Sequence, residues 1–330
     1  MTAPSATTTL KGMESPGGSR PWSNAVLLVT VMLPSVWASV TLLGGCPAGD
    51  AGLLVPLCPM ALEQPIVFVN LLFFLNVTLG FWLINLVQRS TWLIDPYWTI
   101  LPLMIGHLYL AHPRAIEAGP RAYLAMGLLW LWSLRLTYNY FRRERWQLGA
   151  REDWRFAKKR QESPHFWWVS FFYAFLSQQP MLVGLTLPLW AIAFHPAPFG
   201  LLDGICGALA LTGIVIAHLA DTQLHAYMQE NEARVARGEP KERLLDHGLW
   251  RYSRHPNYFG EQLFWWSLAG YGAIVGQGWV VVGTALNSLV LAVVTVMVEK
   301  RMLAVPERRA VYEAYRQRTS VLVPWPPRTS

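Results

Sequence analysis

Residues 278–301 read GWVVVGTALNSLVLAVVTVMVEKR. The run 278–298 holds no charged side chain, and Glu299, Lys300 and Arg301 then follow in succession. A helix needs about 20 apolar residues to cross a bilayer, and basic residues just beyond such a run mark its cytosolic end. The stretch therefore predicts a membrane-spanning helix with the C-terminal tail in the cytosol. Seven more apolar runs lie at about 24–44, 64–87, 97–111, 121–140, 166–193, 203–220 and 259–275. The first is longer than the roughly 7–15 residues of a signal-peptide core, so it predicts a retained helix. Two are marginal: 97–111 is short and holds His107, and 259–275 carries Glu261 and several glycines. Spans of that kind line an interior cavity rather than face lipid.

Composition agrees. Of 330 residues, 53% are hydrophobic and 14% charged, where a soluble domain has about 25% charged. That excludes an ordinary soluble domain and a disordered chain, and no repeat period supports a solenoid. The 17 Trp and 12 Tyr suit the membrane–water boundary. The net charge of +7 is not a nucleic-acid footprint, because location accounts for it. With the N-terminus cytosolic, 24 of the 27 Lys and Arg fall on the cytosolic side, eight of them in 141–165. The expected fold is all-α: a polytopic membrane helix bundle of about eight transmembrane helices, both termini cytosolic. Residues 1–21 form a flexible tail, 22–63 an extra helix with a far-side loop, and 64–330 the main membrane domain. Three cysteines make no disulfide scaffold. Cys46 and Cys58 share the first far-side loop, as a disulfide or as two free thiols. Asn76-Val77-Thr78 spells a glycosylation sequon but lies inside a span, which predicts no modification.

The densest polar cluster is Leu249-Trp250-Arg251-Tyr252-Ser253-Arg254-His255-Pro256-Asn257-Tyr258-Phe259-Gly260-Glu261. Pro256 disfavours helix at His255, so Asn257 opens the next span with two amide donors and an acceptor. Glu261 lies one turn deeper on the same face. A plain reading is a helix start with Arg254 and His255 reaching to lipid headgroups; the other is a functional site.

The run Arg254-His255-Pro256-Asn257-Tyr258-Phe259-Gly260-Glu261, after Gly248-Leu249-Trp250-Arg251-Tyr252, resembles the signature of the steroid 5α-reductase C-terminal domain family, in a branch of steroid-reductase-like membrane proteins. The tail agrees, with Glu299-Lys300-Arg301, Tyr312, Tyr315, Arg318-Thr319-Ser320 and Pro324. So do Asp95-Pro96-Tyr97-Trp98, Arg135, Glu152-Asp153-Trp154-Arg155 and Asp221-Thr222-Gln223. The resemblance runs from about 65 to 328. It implies a helix bundle that holds NADPH at its cytosolic end and reduces a carbon–carbon double bond of a steroid or other lipid lying between the N-terminal helices. Membrane lipids and a steroid-like small molecule are then the partners, with no nucleic acid. The membrane is that of the endoplasmic reticulum in a eukaryote or the inner membrane in a bacterium. By the same resemblance Asn257, Tyr258 and Glu261 line the nicotinamide and ribose, Asp221 and Tyr252 complete the cofactor pocket, and Arg251 and Arg254 meet phosphate, with Lys300 and Arg301 as further candidates. No GxGxxG or Walker run occurs. Isoprenylcysteine-type methyltransferases, which use S-adenosylmethionine, also carry an Arg-His-Pro-x-Tyr run. They follow it with a paired glutamate in the last helix, where this chain has Glu299-Lys300. A lipid-binding protein without catalysis is the third reading.

For the substrate end, Asp95, Tyr97 and Trp98 open the short third span, and Arg135 is an isolated cation within the fourth, near Trp132 and Tyr138. An intramembrane Arg is a functional candidate with Asp95 as its counter-charge. Alternatively Asp95 caps a helix and Arg135 reaches the cytosolic face. By analogy with the acid and phenol of the steroid reductases, Asp95 with Tyr97 or Tyr138 would bind a carbonyl. Gln178 and Gln179 precede Pro180 in mid-span, lining a cavity or bonding helix to helix. The histidines show no metal-ligand spacing, so no metal is expected.

Overall fold

The computed structural model describes residues 21–45 and 55–328, and among them there is helix and no strand. The chain divides into two compact units, residues 1–197 and 198–330.

In the first unit, Pro21–Thr30 (α1) and Leu33–Leu43 (α2) are separated by a turn at Val31 and Met32. Cys58–Glu63 (α3) leads into Pro65–Phe73 (α4), a π-helical stretch Phe74–Phe81, and Trp82–Gln88 (α5). Arg89 ends α5 in the left-handed region, φ 54°. Ile94–Leu110 (α6) and Pro120–Arg143 (α7) follow, then the short Trp154–Glu162 (α8), capped by Asp153 accepting from Arg155 N at 2.8 Å. Phe166–Ser170 (α9), a second π-helical stretch Phe171–Leu176, and Gln178–Phe194 (α10) complete the unit. Proline sits at the start of α4 and α7, where its missing N–H costs nothing. The core is aromatic: Phe68, Phe81, Trp92, Tyr109, Trp132, Phe166 and Phe175 are fully enclosed.

The second unit is built on Leu201–Ala236 (α11) packed along Pro256–Ile274 (α12), with Val281–Leu303 (α13) and Pro306–Arg318 (α14). Glycine sets the α11–α12 crossing. A Cβ on Gly260 would lie 2.5 Å from the carbonyl oxygen of Gly213, and one on Gly213 would lie 2.6 Å from that of Gly260. Small residues are what allow two membrane helices to approach this closely.

All eight apolar runs fall on helix. Among the described residues, four helical stretches are long and apolar enough to cross a membrane: Trp22–Leu43, Pro65–Gln88, Leu201–Ala236 and Gly278–Leu303. Val29, Trp37, Leu83, Val215, Val293 and Val296 stand exposed on them, as lipid-facing side chains do. This is the character of a multi-pass membrane protein. At 36 residues, α11 is nearly twice the roughly 20 residues a bilayer needs, and Asp221 falls where its apolar portion gives out. Cys58 is disulfide-bonded and Cys206 is free; Cys46 and the 1–20 tail lie outside the described residues.

Candidate functional site

In the second unit the motif loop is pinned to α11. Gly248 takes φ 59°, and a Cβ there would sit 2.7 Å from the Gln223 amide. Leu249 N donates to Gln223 Oε1 at 3.0 Å and Trp250 Nε1 to Ala220 O at 3.1 Å. These bonds bracket Asp221, which is 7% exposed. Pro256 then starts α12, and Asn257 Nδ2 donates to Asp221 Oδ1 at 3.1 Å. The other face of the amide is also fixed, since Asn257 Oδ1 accepts from Tyr258 N at 3.1 Å. Tyr258 stacks on His255, centroids 5.2 Å apart. Glu261 is half-buried one turn on, and Tyr252, Arg251, Lys300 and Arg301 are exposed. The result is an oriented carboxamide–carboxylate pair.

Behind that pair lies a buried ionic junction. Glu299, in the last turns of α13, accepts from Arg254 Nε at 2.7 Å and Arg316 Nε at 3.2 Å, with His255 Nε2 at 3.5 Å. Arg254 also donates to Thr319 O at 2.6 Å and Arg316 O at 3.1 Å. The tail after α14 runs beside the loop: Arg254 N donates to Ser320 O at 2.8 Å, Ser253 Oγ to Leu322 O at 2.7 Å and Trp325 N to Tyr252 O at 3.0 Å. Tyr315 donates to the carbonyls of Trp250 and, at 3.3 Å, Ser253. Burial pushes the Tyr312 phenol up to about 12 and that of Tyr315 up as well, so both stay neutral. Stretches of sequence 45 residues apart, as at Arg254 and Glu299, and 69 apart, as at Ser253 and Leu322, thus close on one loop.

The first unit holds two cavities along α6. The polar one, about 220 Å³, is lined by Asp95, Trp98, Asn139, Tyr140, Arg143, Asp153, Arg155 and Gln178 among others. Asp153 takes Arg155 by both oxygens, at 2.9 and 2.7 Å. Burial pushes its carboxyl up, but the Arg155 guanidinium outweighs this and holds it below the usual carboxylate value. Trp98 Nε1 donates to Gln178 Oε1 at 2.8 Å. The second cavity, about 560 Å³, is almost wholly apolar and is lined from α2, α4, the first π-helical stretch and α6, with His107 as a polar member that accepts from Trp130 Nε1 at 3.0 Å.

Of the four residues expected at the substrate end, Asp95 alone lines the polar cavity. Tyr97 is buried on another face of α6, where its hydroxyl donates to Leu28 O and its ring meets Phe81 at 5.1 Å. Tyr138 is 47% exposed, with the Arg142 guanidinium 5.3 Å over its ring. Arg135 is buried within α7 and does not line either cavity. The phenol beside Asp95 is Tyr140. Gln178 and Gln179 realise both readings: Gln178 lines the polar cavity, while Gln179 accepts from Thr78 at 3.2 Å and donates to Asn70 at 3.1 Å. Among the described residues no His, Cys, Asp and Glu cluster could hold a metal. Glu299, Arg316, Tyr140, Asn139 and Arg143 had no site role in the sequence alone. For Glu299 there was a signal, a carboxylate at a helix end otherwise marked by cations.

Against known proteins, a family model described as "Protein of unknown function (DUF1295)" matches residues 81–319. The chain is similar to an uncharacterized protein of Schizosaccharomyces pombe, 32% identical over 212 residues, which cover 59% of this chain and 61% of that one. The match thus spans about three-fifths of that curated relative's length. No solved structure matches.

Proposed function

We propose, from the premise that this chain belongs to the DUF1295 family, that it is an NADPH-dependent membrane reductase of a carbon–carbon double bond in a steroid or other lipid. The more specific kinship is with the steroid 5α-reductase C-terminal domain family, in an eight-span bundle with both termini cytosolic. The observation that carries the reading is the 3.1 Å bond from Asn257 to Asp221. It joins the two stretches that resemble the family's cofactor region and leaves an aligned amide for a carboxamide-bearing ligand.

The donor set fits a dinucleotide. Asn257 supplies the amide, Asp221 orients it, Tyr258 and Tyr252 offer ring faces, Glu261 lies one turn deeper, and Arg251, Lys300 and Arg301 are exposed cations suited to phosphate. Arg254 is engaged by Glu299 and two carbonyls, so its part is to position the loop. Bound NADPH would supply a hydride.

At the substrate end, the apolar cavity of about 560 Å³ suits a hydrocarbon body, and one helical turn along α6 lies the polar cavity. There the protonated carboxyl of Asp95 and the hydroxyl of Tyr140 would both donate to the carbonyl oxygen conjugated with the double bond. As hydride adds to the β-carbon, charge develops on that oxygen, and positioned donors in a dry site stabilise it. Protonation of the α-carbon by water, with hydroxide released to solvent, would complete the reduction. The membrane is that of the endoplasmic reticulum in a eukaryote, or the inner membrane in a bacterium.

A second reading, an S-adenosylmethionine-dependent methyltransferase of the isoprenylcysteine type, is favoured by Glu299, a last-helix glutamate engaging Arg254 and His255. Incubating the detergent-purified full chain with NADPH and a panel of conjugated lipid enones separates the two. NADPH oxidation that depends on both lipid and protein supports the reductase. Methyl transfer from S-adenosylmethionine without NADPH oxidation overturns it.

A further inference from the structure

The first unit carries a third pocket that the proposed reaction does not use. It measures about 290 Å³ and is lined by Leu86, Arg89, Pro164, His165, Trp167 and Trp168. It lies where the apolar stretch Pro65–Gln88 ends and the chain leaves the hydrocarbon. Arg89 is exposed and sits with its guanidinium carbon 5.3 Å from the centroid of the Trp167 ring. Among the described residues no carboxylate pairs with it. Trp82 fixes the aromatic wall, donating to Trp167 O at 2.9 Å and meeting the Trp168 ring at 5.7 Å. Trp168 itself is 67% exposed.

We infer that this pocket binds the headgroup of an anionic glycerophospholipid. A guanidinium lying on an indole keeps its N–H edges available for phosphate oxygens. Indoles are favoured at headgroup depth. The preceding segment 141–165, whose end gives Pro164 and His165 to the pocket, is basic overall, with eight Lys and Arg against four Asp and Glu. Lys158 on its helix α8 is exposed but pairs with Glu162 at 3.7 Å and does not line the pocket, so it serves as a control. A free phosphate would find the same cation, but only a lipid would also bury acyl chain against the apolar helices beside it. The inference stands independently of the reductase reading.

The test is thermal stability of the full chain in detergent, titrated with phosphatidylglycerol, phosphatidylcholine or inorganic phosphate, for wild type, Arg89→Ala and Lys158→Ala. The expected result is that phosphatidylglycerol stabilises wild type more than phosphatidylcholine does, and that inorganic phosphate gives no matching shift. Arg89→Ala raises the half-saturating phosphatidylglycerol concentration about fivefold, the weight of one basic residue at a membrane surface, while Lys158→Ala leaves it unchanged. Should Arg89→Ala fail to fold, Arg89→Lys keeps the charge but loses the planar fork and must show a weakened response. An unchanged response in the Arg89 variant, equal effects of the two lipids, or an equal loss in Lys158→Ala overturns the site. An Arg89-dependent effect of inorganic phosphate equal to that of phosphatidylglycerol overturns the lipid as its occupant.

Discussion

Arg254 Nε donates to Glu299 at 2.7 Å, with both side chains about 10% exposed. Because the same guanidinium also holds the carbonyls of Thr319 and Arg316, this pair locks the motif loop to the last membrane helix and to the tail. Removing one partner of a buried ion pair leaves an uncompensated charge and costs about 3–5 kcal/mol. Glu299→Ala should therefore destabilise the protein by about that amount, with Glu299→Gln losing less because its amide oxygen still accepts. Chemical denaturation of purified protein reads both, and a neutral Glu299→Ala would remove the junction from the account.

Asp153 should give the first unit an acid sensitivity. Its carboxyl is held below the ordinary 3.8 by Arg155, against the opposing effect of burial. A depressed folded-state pKa contributes stability that is present above the unfolded value and is lost as pH falls through the folded value. Wild type should hold its Tm near neutrality and lose part of it below about pH 4, and Asp153→Asn should start lower and show a shallower fall. Parallel Tm–pH curves for the two proteins would contradict this.

The close crossing of α11 and α12 should not tolerate a larger residue. Gly260→Val would drive carbon into the Gly213 backbone, and overpacking costs typically about 1–3 kcal/mol. The expected outcome is reduced thermal stability of the detergent-purified protein, whereas Gly127→Ala, where a Cβ meets nothing within 4 Å, is expected to be silent.

Two tyrosines should separate structure from chemistry. Tyr140 lines the polar cavity beside Asp95, while Tyr97 spends its hydroxyl on Leu28 O. Tyr140→Phe should cut lipid turnover roughly 100- to 10,000-fold, the range for losing a general acid or an oxyanion donor, with Tm little changed. Tyr97→Phe should lower stability by about 0.5–1.5 kcal/mol and leave turnover per folded molecule intact. Reversed effects would move the substrate end elsewhere.

The apolar helices were legible in the sequence because apolar length marks them, down to the short run that became α6, whereas the polar helices α8 and α14 carry no such run and were not foreseen. The Asp221–Asn257 pairing was legible only as two stretches of one resemblance; neither residue by itself announces a partner 36 positions away. Tyr97 was misdirected for a geometric reason: residues two apart on a helix do not share a face, so it cannot follow Asp95 into the cavity, and Tyr140 on α7 can. Gln178 and Gln179 part company by the same rule. The Arg254–Glu299 contact stayed hidden because a cation beside a motif invites a phosphate, and a carboxylate at a membrane helix end reads as mere boundary charge until the fold brings the two together.

The most direct test of the central claim is nucleotide-dependent thermal stability of the full chain in detergent, for wild type, Asn257→Ala and Asp95→Ala, with NADPH, NADH and S-adenosylmethionine. Ligand binding to the native state raises its stability. The account predicts that NADPH stabilises wild type and S-adenosylmethionine does not. Losing a hydrogen bond to a buried polar group costs about 1–3 kcal/mol, so Asn257→Ala should raise the NADPH concentration required roughly 5- to 100-fold, and Asp95→Ala should leave it unchanged. Stabilisation by S-adenosylmethionine alone, or equal impairment of NADPH binding by both substitutions in folded protein, would contradict it.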